Sequence, residues 1–395
     1  MVDVATLGTF AVAAMASLFM AWTIGAGSSG STPFAPAVGA NAISVMRAGF
    51  LVGILCFLGA VFQGASVSEA VGGDLIEGVT LSAEAATLGL TIAAVLVAIG
   101  VFTGYPIATA FTVTGAVIGV GFAMGGEAAW WKYQEIAALW LLTPFVGGFI
   151  AYVTARALRE EPVPERYVVL VLAGVVGALL ANIEFAMLGP PDGSASVAVT
   201  VANAVPGSTA AVVAVTLAFA VGGAGALRLD MRNGTSVAER HFLLVLGSLV
   251  AFSAGGSQVG LAVGPLVPLS DDVGLTITAL LLGGGVGLLV GAWTGATRMI
   301  KAISLYYSSL GPRRSIAALI PSFAIAQVAI LYGIPVSFNQ IVVSSIIGSG
   351  YAAASAGGGV SARKMGYTIL AWVLSLAGAI VVSYAGFRAF IWLVG

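Results

Sequence analysis

The chain has 395 residues, of which 59% are hydrophobic and 8% are charged, with a formal net charge of −1. A soluble domain carries roughly 25% charged residues, so this composition excludes a soluble enzyme and predicts a helical protein that crosses a membrane many times. Because Cys56 is the single cysteine, a disulfide framework and a cysteine-based metal cluster are also excluded. We therefore expect a multi-pass integral protein of a cell membrane, embedded in the lipid bilayer.

Apolar runs of about 20 residues predict an all-α fold with about twelve membrane segments. In chain order these segments cover residues 4–24, 46–64, 86–103, 105–124, 135–155, 167–189, 195–227, 242–264, 273–297, 315–333, 335–352 and 365–393. The stretch 25–45 is small, polar and interrupted by proline, which predicts unwound or re-entrant backbone in place of a regular helix.

Two proline-broken apolar segments share one pattern about 229 residues apart, at 105–121 and 334–350. A second matched pair precedes them at an offset of 230, at 21–28 and 251–258. Paired hydrophobic segments interrupted by glycine or proline, one in each half of a membrane chain, point to a transporter with its binding site at the repeat interface.

The charged loops predict the topology of the chain. Four basic loops fall on one side of the predicted spans together with Arg47, and this side should be cytoplasmic; the loops lie near 156–166, 228–240, 298–314 and 363–364. The acidic connections fall on the other side, so the span 4–24 runs outside to inside and its partner 242–264 runs inside to outside. We therefore predict inverted-topology repeats at 1–155 and 242–395, joined by linking transmembrane helices at 156–241, with both termini outside.

The proline breaks and the glycine–serine stretches predict the binding site. Freed backbone groups at membrane depth are tolerated only inside protein or beside a water-filled cavity, and N–H groups at helix starts attract anions. Neutral hydroxyl and amide side chains lie close to each break. The predicted substrate-binding residues are Gly25, Ser28, Ser29, Ser31, Thr109, Thr114, Ser257, Gln258, Ser337, Asn339, Gln340 and Ser344. The alternative is ordinary packing, because proline kinks and Ser/Thr faces are common in helix bundles.

Other polar features have simpler interpretations. The single histidine, His241, follows Arg240 in a charged loop, which favours a solvated surface residue. Glu184 lies near the outer end of its predicted span, where snorkelling to the interface is favoured slightly over proton coupling. The sequence has no phosphate-cradling GKS/T motif, zinc motif or nucleophile–base pair, so we expect no catalytic residue, metal, cofactor or nucleic-acid partner, and an intramembrane enzyme is a distant alternative.

At the proline breaks the chain resembles the inorganic phosphate transporter family, which includes a sulfate permease branch. The late family motif is Pro-Val-Ser-Thr-Thr-His followed by a Gly-x-Gly ending, and the segment 262–266 resembles the family's second early motif. Residues that match the two late motifs are Pro106, Thr109, Thr114, Gly119 and Gly121, then Pro335, Val336, Ser337, Ser344, Gly348 and Gly350. The resemblance spans both repeats, and it implies a multi-pass anion permease.

The chain departs from the family at its most polar positions. The family's Asn-Asp pair becomes Gly27-Ser28 and Ser257-Gln258, its later Asn becomes Ser31 and Leu261, and its His becomes Phe111 and Gln340. In the family, the acidic and amide positions are associated with cation coupling and phosphate binding. Their loss weakens the expectation of sodium coupling and of phosphate, and the sulfate permease branch also looks altered at the acidic positions.

Proton chemistry separates the two anions. Hydrogen phosphate can donate a hydrogen bond, whereas sulfate at neutral pH only accepts, so a site of neutral donors without an acid favours sulfate. We therefore expect a secondary active permease for a tetrahedral oxyanion, first of all sulfate, working by alternating access at a midplane site. The alternatives are an inorganic phosphate transporter coupled to sodium or protons, and a carrier of a cation or neutral solute that reuses the fold. The coupling ion and homo-oligomerisation are left open.

Overall fold

The computed structural model describes residues 3–159, 164–189, 194–204, 208–307, 310–352 and 362–394. These residues are almost entirely helical. In chain order the α-helices are α1 (Val4–Gly27), α2 (Ala35–Gly39), α3 (Val45–Gln63), α4 (Ala65–Gly73), α5 (Ala83–Thr103), α6 (Thr109–Ala123), α7 (Trp130–Ala157), α8 (Glu165–Ala181), α9 (Val197–Asn203), α10 (Ser208–Asp230), α11 (Thr235–Val263), α12 (Val267–Ser270), α13 (Ile277–Tyr306), α14 (Pro312–Leu331), α15 (Phe338–Tyr351) and α16 (Ala362–Val394).

Short strands and 3₁₀ turns connect some of these helices. Strand β1 (Ile76–Glu77) pairs antiparallel with β2 (Glu127–Ala128), and β3 (Glu184–Phe185) pairs antiparallel with β4 (Ala195–Ser196). The described 3₁₀ turns are Ala186–Leu188, Met231–Asn233, Gly264–Leu266 and Asp271–Val273.

Nine helices in the described part of the chain are long and apolar enough to cross a membrane. The three other predicted spans correspond to α6, α8 and α15, which have 15, 17 and 14 residues. At about 1.5 Å per residue they extend roughly 21–26 Å, less than the ~30 Å hydrocarbon core, so the predicted count of twelve crossings is not confirmed. Some predicted boundaries were also wrong: α8 ends at Ala181, before the predicted 189, α13 continues past 297 to Tyr306, and the span 195–227 is divided between α9 and α10.

Helices of the first half pack against helices of the second half in matching pairs. Helix α1 packs against α13 and α11 packs against α3, while α6 packs against α16 and α15 packs against α7. Within each half, α5 lies beside α1 and α6, and α14 lies beside α11 and α15. The two halves therefore interlock, and they do not form separate bundles.

Glycines allow the closest of these helix crossings. A Cβ atom on Gly25 would lie 2.2 Å from the Leu288 carbonyl oxygen, at the crossing of α1 with α13. A Cβ atom on Gly255 would lie 1.9 Å from the Cys56 carbonyl oxygen, at the crossing of α11 with α3. Small residues let membrane helices approach to backbone contact, so these glycines serve packing at matched places in the two halves.

Each proline break begins in the same way. Helix α5 ends at Gly104, with φ of +79°, and α14 is followed by Gly333, with φ of +58°. A glycine in the left-handed region stops a helix, and a proline two residues later prevents it from continuing. The backbone therefore has no regular secondary structure over 105–108 and 334–337, before α6 and α15 start.

The two early glycine–serine stretches differ in structure. Helix α1 ends at Gly27 and the chain turns irregularly until the short helix α2, as the polar run before Pro33 predicts. Helix α11 instead continues through Ser257 and Gln258 to Val263. The reason is local composition: 259–263 is apolar and compatible with a helix, whereas 28–32 consists of serine, glycine and threonine, whose side chains compete for backbone hydrogen bonds.

Candidate functional site

A buried polar cluster forms where the two proline breaks meet. Its centre is Gln258 on α11, whose side-chain oxygen accepts hydrogen bonds from Ser28 Oγ and Thr109 Oγ1, both at 2.9 Å. The Gln258 amide nitrogen donates to the carbonyl oxygen of Val336, inside the second break. The Gln258 side chain is thus hydrogen-bonded to the end of α1, the start of α6 and the segment before α15.

Asn339 forms a second bridge between the halves. Its Nδ2 atom donates to the carbonyl oxygens of Gly27 at 3.0 Å and Ile107 at 2.7 Å. Because Ile107 belongs to the first break and Asn339 follows the second, the two breaks lie against each other, as the sequence predicts. Hydrogen bonds place Ser28, Thr109, Gln258 and Asn339 together, and Ser257 and Ser337 are the buried chain neighbours of Gln258 and Val336; we call these six residues the break cluster.

Several polar atoms of this region have no hydrogen-bond partner although they are buried. In the break cluster they are Ser257 Oγ, Ser337 Oγ and Asn339 Oδ1. The side chains of Ser257 and Ser337 are fully buried and Asn339 is 1% exposed. A buried unpaired polar group costs about 1–3 kcal/mol, so such groups usually mark a place where a ligand or water completes the pairing.

The cluster is electrically neutral. The segments 24–32, 105–114, 254–261 and 334–345 contain no Asp, Glu, Lys, Arg or His residue. The hydroxyl groups of Ser28 and Thr109 already donate to Gln258, and they would have to turn to reach an anion. The unpaired hydroxyls of Ser257 and Ser337 are therefore the donors most ready to meet a substrate, and Asn339 Oδ1 supplies an acceptor.

The remaining predicted site residues make no described hydrogen bond to the side chains of this cluster. Gly25 packs against α13, and the hydroxyls of Ser29 and Ser31 donate to the carbonyls of Ile24 and Ser28. Thr114 Oγ1 is buried and unpaired on α6. Gln340 and Ser344 lie on a different cavity beside α7. These positions were grouped by sequence proximity, but helical rotation turns their side chains in different directions.

Sequence reasoning missed two tryptophans that hold the breaks. Trp140 Nε1 on α7 donates to the Pro335 carbonyl at 2.8 Å, and Trp372 Nε1 on α16 donates to the Pro106 carbonyl at 2.9 Å. Each half therefore supplies the indole that pairs the break of the other half. The signal was present, since the two tryptophans are 232 residues apart, close to the offset of the prolines.

The two isolated charged residues have surface roles. The carboxylate of Glu184 accepts from Ser194 Oγ at 2.6 Å in the β3–β4 hairpin, beyond the end of α8. His241 Nδ1 lies 2.7 Å from the Asp230 carboxylate, and its side chain is 55% exposed. Neither residue approaches the break cluster through any described hydrogen bond.

Nine membrane-length apolar helices among the described residues, with broken helices that meet at a neutral buried cluster, indicate a multi-pass membrane protein of the transporter class. The sequence profile of the Phosphate transporter family matches residues 24–383. The chain therefore belongs to the phosphate transporter family, whose members are transporters and not enzymes.

Individual relatives are distant but extend over most of the chain. A protein of Chlamydia pneumoniae, provisionally named phosphate permease, is 25% identical over 411 residues, covering 93% of this chain and 95% of its own. The chloroplastic inorganic phosphate transporter 2-1 of Arabidopsis thaliana is 22% identical, covering 85% of this chain and 64% of its own. A solved structure described as the sodium-dependent phosphate transporter aligns with a TM-score of 0.79 at 20% identity, covering 98% of this chain and 100% of its own. That likeness establishes the fold.

Proposed function

We propose that this chain is a secondary transporter of inorganic phosphate that works by alternating access between two inverted repeats. Membership of the phosphate transporter family supports phosphate, as do the names of the relatives. The same comparisons give sulfate no support. The order of the two substrates expected from the sequence is therefore reversed, with sulfate kept as the competitor that the experiment must exclude.

The observation that carries this proposal is the unpaired acceptor Asn339 Oδ1. The two carbonyl oxygens bonded to Asn339 Nδ2 fix the orientation of the amide. If the amide oxygen and nitrogen exchanged places, the Asn339 oxygen would face these two carbonyl oxygens with no proton between them. The sequence-based preference for sulfate assumed a site that only donates. Phosphate near neutral pH carries a P–OH group that can donate to Asn339 Oδ1, whereas sulfate would face this oxygen with repulsion.

The division into repeat 1 (1–155), linking helices (156–241) and repeat 2 (242–395) is part of the proposal. It is supported by the starts of α5 and α14 and of α6 and α15, which are each 229 residues apart. The exchanged pairing of Trp140 and Trp372 with the two breaks also supports it. The basic loops on one side of the predicted spans also support it, because they give the first spans of the two repeats opposite orientations.

In this proposal, the anion binds among the unpaired hydroxyls of Ser257 and Ser337 and the acceptor of Asn339. Ser28, Thr109 and Gln258 hold the surrounding segments and turn toward the anion when it enters. The cluster is buried from solvent, so the two breaks must move apart for phosphate to enter or leave. The coupling ion is sodium or a proton, and sodium is the first to test because the similar solved structure is described as the sodium-dependent phosphate transporter.

The test is uptake of labelled phosphate and labelled sulfate by the purified protein in proteoliposomes. Each substrate is measured with an inward sodium gradient, with an inward proton gradient and with neither. We expect saturable phosphate uptake that requires one of the two gradients, and at least tenfold weaker competition by sulfate. Preferred uptake of sulfate would overturn the substrate assignment, and gradient-independent uptake would overturn the coupled mechanism.

A further inference from the structure

An apolar groove lies on the outside of the helix assembly, between α7 and α16. Its cavity measures about 810 Å³. The floor is formed by α15 and by Phe111 of α6, and the walls include Phe145 and Phe149 on one side and Ile369 and Val373 on the other. Ligand pockets span roughly 300–1,000 Å³, so this groove can hold a long apolar ligand.

The groove opens toward lipid. In the most apolar 18-residue stretch of α7, 28% of the residues are buried. In the corresponding stretch of α16, only 17% are buried. The exposed wall residues therefore face the bilayer in a membrane-spanning protein. Ala137 and Tyr152, both lining residues on α7, are 15 residues apart, which corresponds to about 22 Å along the helix. This length exceeds one leaflet of hydrocarbon, about 15 Å.

Three arginines lie near one end of the groove. The lining residues Tyr152, Tyr351 and Met365 mark this end, where α7 and α15 finish and α16 starts. Arg156 lies one turn beyond Tyr152, and Arg363 lies two residues before Met365. Arg159 donates to the Ala352 carbonyl, next to Tyr351. Two arginines at the end of α7 and one at the start of α16 thus lie just past the same end of the groove, where an anionic headgroup is favoured.

We propose that the groove binds one acyl chain of an anionic phospholipid, with the lipid phosphate held by Arg156, Arg159 and Arg363. The groove matches the chain in length and apolarity, and the arginines match the headgroup in charge and position. α15 and α16 carry no Asp or Glu, and the one acidic residue of α7, Glu135, lies near the opposite end. The groove also contacts Trp140 and Trp372, so a bound chain favours the conformation in which these indoles hold the two breaks.

The first experiment measures lipid retention and thermal stability of the delipidated protein. Phosphatidylglycerol and phosphatidylcholine with identical acyl chains are titrated separately, with native mass spectrometry and thermal unfolding as readouts. We expect one tightly retained phosphatidylglycerol per chain and a larger stabilisation by this lipid than by phosphatidylcholine. Equal retention and equal stabilisation by the two lipids would overturn the headgroup assignment.

Matched variants locate the site. The double variant Arg156→Gln/Arg363→Gln should lower phosphatidylglycerol retention at least fivefold, whereas Arg228→Gln/Arg232→Gln, which changes two basic residues away from the groove, should leave it unchanged. Ile369→Trp fills the groove and should abolish retention, whereas Leu370→Trp, on the neighbouring exposed face of α16, should not. Equal effects of each variant and its control would overturn the proposal.

A photoactivatable phosphatidylglycerol with a diazirine in its acyl chain tests the wild-type protein directly. Adducts should concentrate on the groove residues of α7 and α16. Labelling spread evenly over exposed apolar residues would refute the site. A change from dimer to monomer in Ile369→Trp without loss of lipid would also refute it, and it would identify the groove as a contact between two copies of the chain.

Discussion

The unpaired hydroxyl of Ser337 gives the sharpest test of the binding site. In this structure the buried oxygen has no hydrogen-bond partner, so replacing it with hydrogen should relieve a cost of about 1–3 kcal/mol. We therefore expect Ser337→Ala to be more stable than wild type without phosphate. The same substitution removes a donor to an anion, a bond worth about 1.5–3 kcal/mol, so phosphate affinity should fall at least tenfold.

A matched control separates this behaviour from that of an ordinary buried serine. Ser315 is equally buried, but its hydroxyl donates to the Pro36 carbonyl at 2.7 Å. Ser315→Ala should therefore lower stability by about 1 kcal/mol and leave phosphate affinity unchanged. Without phosphate, Ser337→Ala should therefore be more stable than wild type and Ser315→Ala less stable.

The assay is thermal unfolding in detergent with and without phosphate, together with uptake in proteoliposomes. At a phosphate concentration one hundred times the dissociation constant, wild type gains about 2.7 kcal/mol, and a tenfold weaker variant gains about 1.4 kcal/mol. The reasoning is refuted if Ser337→Ala is destabilised as much as Ser315→Ala and keeps wild-type phosphate stabilisation. In that case the hydroxyl of Ser337 is paired in solution and does not meet the substrate.

Three further predictions concern the breaks and the substrate. We expect a loss of about 1–3 kcal/mol of stability in each of the variants Trp140→Phe and Trp372→Phe, because each leaves a buried proline carbonyl unpaired. An unchanged melting temperature would contradict this prediction. In thermal unfolding, Gly333→Ala should lower the stability of the protein more than Gly104→Ala. Both glycines have positive φ, but only a Cβ atom at Gly333 would meet a carbonyl oxygen, at 3.0 Å. Equal losses of stability would contradict this steric argument. Gln258→Glu should reduce sulfate binding more than phosphate binding in competition assays, because a carboxylate accepts from P–OH but repels sulfate; equal losses would show that this side chain does not face the anion.

The architecture was largely predictable because hydrophobic length and proline position are strong local signals. Every predicted span corresponds to a helix or a pair of helices, and the breaks at Pro106 and Pro335 are where the sequence places them. The failures lie where helix ends depend on details. The hydropathy of 195–227 does not reveal that the helix divides after Asn203, and α8 stops at Ala181 before the β3–β4 hairpin.

The site was only partly predictable because hydropathy does not fix side-chain direction. Asn339 and Gln340 are neighbours in sequence, yet Asn339 bridges the two breaks while Gln340 lines the outer groove. The importance of Trp140 follows only from the tertiary contact with the opposite break. Asn339 Oδ1 also could not be recognised as a free acceptor before the two carbonyls that bind its amide nitrogen were known.

The hydrogen bonds that join the two halves at the cluster suggest how substrate binding and movement are coupled. Gln258 and Asn339, from the second half, make four such bonds, to Ser28, Thr109, Gly27 and Ile107 of the first half. At about 0.5–1.5 kcal/mol each, they hold the breaks together by roughly 2–6 kcal/mol in total. This range matches the few kcal/mol that typically separate two functional conformations, so an anion that replaces these bonds can shift the balance between closed and open states. Both long amides come from the second half and meet short hydroxyls and backbone carbonyls of the first, so the two halves contribute different chemistry to the cluster. Separation of the breaks toward one side of the membrane should therefore differ in energy from separation toward the other.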